Sequence, residues 1–133
     1  MIDTNVVLRA HLAGNAALVA LVGAKIYCPR LPENTALPAV NFFTRGGLST
    51  PYIPGIPNPS IQIDCWGSSP VAARQVYRAV YDALQGIQNV AVTTGGNTYY
   101  ILSAREEVEG QDIVDTDIQN YFRTISFFEV KIR

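Results

Sequence analysis

Charge is what this sequence has least of. Lys, Arg, Asp and Glu make up 16% of the chain, against roughly 25% in ordinary globular domains. The two signs nearly cancel, 10 Lys+Arg against 11 Asp+Glu for a net charge of −1. That excludes a global electrostatic pull toward nucleic acid or anionic lipid. A surface so poor in charge belongs either to a compact monomer or to a subunit partly covered by neighbours, where charge would have to be desolvated. Histidine occurs once, as His11, so any Ser-His-Asp or Cys-His pair would have to recruit it, and zinc would find no second imidazole. It stands beside Leu12 in an amphipathic segment, the position of a structural side chain. The two cysteines, Cys28 and Cys65, have no CxxC spacing and lie in strand-like segments, so they read as core thiols. No signal-peptide pattern is present, which predicts use without secretion. The longest apolar run, Ala16 to Val22, falls far short of the ~20 residues that span a bilayer, so no membrane is expected.

What is present is best seen from Ile61 to Leu84. Ile61, Ile63 and Cys65 alternate with Gln62, Asp64 and Trp66, the period of a strand with one apolar face. Gly67-Ser68-Ser69-Pro70 stops it. Ser69 can N-cap a helix, and Pro70 suits its first position, where the missing N–H costs nothing. Ala73, Val76, Tyr77, Val80 and Leu84 then recur at three- and four-residue steps, a single apolar stripe. The outward strand side, Gln62, Asp64 and Trp66, together with Arg74 and Arg78, is expected to form a contact surface.

Asp3 or Thr4 can cap a first helix carrying Val7, Leu8 and Leu12, with a short helical turn from Ala16 to Val22 ended by Gly23. Lys25 to Cys28 and Ala39 to Arg45 read as strands flanking a proline loop. Gly46 to Pro59 holds four prolines and three glycines and no usable period, which predicts a long irregular loop. Asn89 to Thr94 and Thr98 to Ala104 flank Gly95-Gly96-Asn97, a hairpin signature. The last strand runs from about Tyr121 to Ile132. Phe122, Phe128, Val130 and Ile132 mark one face, yet Ile125 and Phe127 are apolar on the other, as in a strand covered twice or touching a neighbour.

Chemistry is scarce. Gly46-Gly47 and Gly95-Gly96 lack the spacing that cradles phosphate and read as turn residues. Glu106, Glu107, Glu109, Asp112, Asp115 and Asp117 place six of the eleven acids within twelve residues. Such carboxylates could hold Mg²⁺ or Ca²⁺ in a small metal-dependent enzyme. The segment has neither calcium-loop spacing nor a nearby lysine for phosphate. A solvated charged loop, or an acidic surface that repels phosphate or meets a basic partner, accounts for it better.

The order of short motifs then carries a resemblance. An N-terminal helix leads into Leu18-Val19-Ala20-Leu21-Val22-Gly23-Ala24-Lys25-Ile26-Tyr27. A proline loop, Leu37-Pro38-Ala39-Val40, the strand Ile61 to Trp66, an alanine-rich helix and the closing strand Tyr121 to Val130 follow. Over nearly the whole chain this resembles the tail-completion (tail terminator, or head–tail joining) proteins of long-tailed bacteriophages and prophages. The resemblance implies a structural virion protein rather than an enzyme, with no catalytic residues, cofactor or metal. It implies subunits that form a six-fold homo-oligomeric ring at the head-proximal end of the tail tube. Such a ring stops tube growth, meets a head connector and lets genomic DNA pass without sequence-specific binding. It would be found at the head–tail junction of the virion, and in the bacterial host cytoplasm during assembly. Another head–tail connector or tube component of a phage-derived machine is the alternative.

The expected fold is α+β in a single domain over residues 1–133: a mainly antiparallel sheet with two helices on one face, plus the long proline-rich loop. Expected interface residues are Thr50, Pro51, Tyr52, Ile53, Pro54 and Ile56 in that loop, with Ile125 and Phe127. Glu106, Glu107, Glu109, Asp112, Asp115 and Asp117 are expected on a channel wall or acidic surface.

Overall fold

A computed structural model of the chain describes residues 2–48, 55–114 and 121–133. Helices α1 (Thr4–Ala13) and α2 (Ala16–Val22) precede strands β1 (Ile26–Tyr27), β2 (Ala39–Leu48) and β3 (Asn58–Gly67). Helix α3 (Pro70–Leu84) then leads to β4 (Gln88–Thr94), β5 (Asn97–Val114) and β6 (Phe122–Ile132). The six strands form one sheet in the order β1-β2-β3-β6-β5-β4. Its pairings are antiparallel except for β1 with β2, which is parallel. The fold is therefore α+β as expected, but the sheet is mixed and three helices accompany it rather than two. The extra helix is the short Ala16–Val22 turn. Asn15 caps it by accepting from the Leu18 N–H at 3.0 Å, and it is bent 84° from α1. Among the described residues no single helix is long and apolar enough to cross a membrane.

Local chemistry explains the handover from β3 to α3. Ser69 Oγ accepts from the Ala72 N–H at 3.1 Å, and Pro70 opens the helix. Gly67 is required there because the chain doubles back on itself. A Cβ at Gly67 would lie 2.8 Å from the Ala72 carbonyl carbon and nearer still to the Ala73 nitrogen. Asp3 caps α1 through the N–H groups of Asn5 and Val6, and His11 Nε2 lies 2.9 Å from the Ala83 carbonyl, tying α1 to the end of α3.

The core lies between the helices and one face of the sheet. In register across the strands, Phe42 sits opposite Ile63, and Ile63 opposite Ser126; Ile61 sits opposite Phe128. Val7, Leu8, Leu12, Leu18, Val76, Val80 and Leu84 close over them, all at most 1% exposed. Each large side chain so buried contributes about 1.5–3 kcal/mol of transfer free energy.

Several expectations change in the structure. The hairpin turn is Gly95-Gly96, and Asn97 already belongs to β5. The irregular loop is shorter than expected, since Gly46–Leu48 and Asn58–Pro59 are strand residues, with a register shift between Thr44 and Gly47. The described part of the acidic stretch, Glu106 to Asp112, is not a loop: β5 continues past Ala104 to Val114, paired with β6, and register shifts between Glu106 and Gln111 absorb the irregular sequence. Cys28 is exposed, just beyond the two-residue β1, while Cys65 is buried. Burial, with Asp64 close by, pushes the Cys65 thiol well above its ordinary value.

Candidate assembly surface

Among the described residues, no helix covers the sheet's other face. There the strands place Ala39, Asn41, Phe43 and Arg45 on β2, and Ser60, Gln62, Asp64 and Trp66 on β3. Arg123, Ile125, Phe127 and Glu129 follow on β6. One would expect such a face to be wet, yet Asn41 is 3% exposed and Asp64 4% exposed. They are buried because the loop between β1 and β2 folds over them. Asn41 Nδ2 donates to the Pro29 carbonyl at 3.2 Å, and Tyr121 Oη donates to the Thr35 carbonyl at 3.1 Å.

Beneath that loop runs a chain of side-chain hydrogen bonds. Trp66 Nε1 donates to Asn41 Oδ1 at 2.6 Å, Asn41 Nδ2 to Asp64 Oδ2 at 3.1 Å, and Gln62 Nε2 to Asp64 Oδ1 at 3.1 Å. Both carboxylate oxygens of Asp64 thus receive amide donors, the condition for burying an acid without a cation. Between loop and sheet lies a cleft of about 540 Å³, lined by Leu31, Pro32, Phe43 and Trp66 together with Arg30 and Arg123. The Arg123 guanidinium lies 5.1 Å from the Trp66 ring centroid. Its Nε is buried and has no hydrogen-bond partner among the described residues.

Further along the same face a second polar group surrounds Phe127. The Arg45 guanidinium covers the Phe127 ring at 4.0 Å, and Arg45 Nε donates to Ser60 Oγ at 2.9 Å. Ser60 Oγ in turn donates to Glu107 Oε1 at 2.6 Å. Ile125 and Phe127 are partly buried by these neighbours, and Ile56 is also partly buried. Glu129 accepts from Asn58 Nδ2 at 2.9 Å and from Arg105 at 2.7 Å. The Asn58 bond, then the Arg105 pair, holds its carboxyl below the usual carboxylate range.

The acids of β5 are divided between the two faces. Glu106 lies on the helix side, where Tyr77 Oη donates to its Oε2 at 2.5 Å. Asp112 is there too, 3.0 Å from Arg74 Nε. Glu107 reaches Ser60 on the open face, and Glu109 is exposed, its charge close enough to act on Tyr77 of the helix side. Among the described residues no three potential metal ligands converge. Tyr77 also accepts from the Gly110 N–H at 3.0 Å. A Cβ at Gly110 would lie 2.6 Å from that ring.

Of the expected interface residues, Thr50, Pro51, Tyr52, Ile53 and Pro54 lie outside the described residues, as do Asp115 and Asp117. Ile125 and Phe127 share the open face, as their strand parity predicted. The expected surface of Gln62, Asp64 and Trp66 with Arg74 and Arg78 does not exist, because α3 covers the opposite side of the sheet and Asp64 is buried. Sequence reasoning missed Asn41, Tyr121, Arg30 and Arg123. The one available signal was Asn41, a lone amide inside the apolar run Ala39 to Phe43.

With this geometry in place, comparison with known proteins adds three findings. The model of the family described as tail completion protein gp17 matches residues 6–94. No curated protein matches the chain. Among solved structures, a chain in the virion of a native gene transfer agent particle is similar over 99% of this chain and 98% of that one, with a TM-score of 0.65 and 17% identity.

Proposed function

The chain belongs to the tail completion protein gp17 family, structural proteins of bacteriophage tails, and from that premise we propose that it is a ring-forming tail terminator. Copies of it would close the head-proximal end of the tail tube, meet the head connector, and leave a channel for genomic DNA. Family membership carries this reading. It is supported by the end-to-end likeness of the fold to a chain in a virion particle and by a surface with little charge to desolvate on assembly. A cyclic ring needs two different patches on each subunit, one for each neighbour. The open sheet face with Ile125 and Phe127 offers one. The segment of residues 50–56, between β2 and β3 in the sequence, would contact a neighbour or the tube. Of the acidic stretch from Glu106 to Asp117, the acids from Asp112 onward would face the channel, where carboxylates keep phosphates from sticking during DNA passage.

Sedimentation velocity and negative-stain microscopy of the purified chain test the reading. A closed ring of fixed stoichiometry, able to cap tubes, is the expected result. A chain that stays monomeric from micromolar to millimolar concentration overturns it. Removing residues 50–55 should leave a folded subunit that no longer assembles, and undiminished assembly by that variant would remove this segment from the proposal.

A further inference from the structure

We infer that the cleft between the β1–β2 loop and the open sheet face receives the β5 shoulder of a second copy of this chain, with Val108 on its apolar wall and Glu109 at its two arginines. This rests on the ring reading and names the joint between subunits.

Three observations carry it. First, the cleft has a mixed character that a single kind of strand would satisfy. Leu31, Phe43 and Trp66 give an apolar wall, and Arg30 and Arg123 line the cleft with them. Its volume, about 540 Å³, is in the range of clefts that hold ligands. Second, Arg123 Nε is buried with no hydrogen-bond partner among the described residues. A buried donor left unmade is destabilising, and a carboxylate seated against the Arg123 guanidinium would give that side chain a charge-assisted partner. Third, β5 displays the complementary pattern. Val108 is 45% exposed, large for an apolar side chain on a strand, and Glu107 and Glu109 flank it, both exposed. Register shifts fall on either side of Val108, which itself pairs with Phe127 of β6. Beta4 pairs with β5 only as far as Ser103, leaving the shoulder outside that ladder.

The cleft's own acids do not oppose this. Asp64 is buried, with both oxygens already bound by Asn41 and Gln62, and Glu33 stands exposed on the loop. Glu107 remains tied to Ser60 of its own chain, so Glu109 is the carboxylate that reaches across. Cleft and shoulder are different patches of one subunit, as a heterologous ring contact demands. The acidic stretch is thereby divided: Val108 and Glu109 join subunits, and the acids from Asp112 onward are left to the channel.

Charge reversal tests the joint. Sedimentation of wild type, Arg123→Glu, Glu109→Arg and the double variant is compared at matched concentrations, with melting temperature as the check on folding. Glu109 is exposed, so its reversal leaves the subunit folded even if Arg123→Glu does not. Each single reversal should raise the concentration for ring formation at least ten-fold, and the double variant should recover most of that loss. Wild-type assembly by Glu109→Arg, or no recovery in the double variant, overturns the inference while the ring stands. A monomeric wild type overturns ring and joint together.

Discussion

On the side of the sheet that carries the helices, Phe42, Ile63, Phe128 and Val130 are fully buried among aliphatic side chains from α1, α2 and α3. On the other side the same strands bury Asn41, Asp64 and Ser60, held by hydrogen bonds from Trp66, Gln62 and Arg45. The helix side is stabilised by transfer of apolar area from water, which is insensitive to direction. The open side depends on directed bonds whose loss strands a partner in a dry place. A protomer needs the first to fold alone. The second keeps its surface defined while it waits for neighbours, and an interface built on such groups discriminates between partners.

The widest gap between the two faces should appear when one residue is truncated on each. Phe128→Ala removes a fully buried ring at the centre of the helix-side core and should cost about 3–5 kcal/mol, the range for such cavities. Asn41→Ala on the open face leaves the Trp66 N–H without its acceptor, and the Pro29 carbonyl and one Asp64 oxygen without their donor. That should cost about 1–3 kcal/mol. Urea melts of both variants give the comparison. If Asn41→Ala melts like wild type, the open face is wet, and its polar chain is a surface feature rather than a second buried layer.

The helix side was legible in the sequence because its signal is periodicity. The three- and four-residue steps from Ala73 to Leu84 and the alternation from Ile61 to Cys65 fix which side chains face inward, whatever they meet. The Ser69-Pro70 start was legible because capping is local chemistry. The β1 strand was read as well, but its parallel pairing was not, since its partner lies in β2, a loop away. Nor was the strand nature of Glu106 to Val114. Acids are poor strand formers in isolation, and what holds them here is distant in sequence: Tyr77, Arg74 and the whole of β6. Asn41 and Arg123 escaped for the same reason, because a polar side chain reveals its role only through partners the fold brings to it. Family resemblance filled part of that gap, as it draws on the order of motifs rather than on contacts.

The sharpest small test concerns a buried polar contact on the helix side. Tyr77 is 6% exposed, a member of the core cluster, yet its hydroxyl donates to Glu106 and accepts from Gly110. Burial first, then the bond to Glu106, pushes its phenol up to about 12. An unfolded tyrosine titrates near pH 10. Because the folded value is the higher, the stabilisation is complete below pH 10, declines as pH rises, and is lost by about pH 12. Tyr77→Phe should cost about 1 kcal/mol at neutral pH, the net worth of one such bond. The gap between variant and wild type should then close between pH 10 and 12, once the common loss from the other tyrosines is subtracted. Urea melts across that range measure it. A gap that stays constant to pH 12 would mean that the hydroxyl contributes by packing alone, and that the helix side is apolar in its energetics throughout.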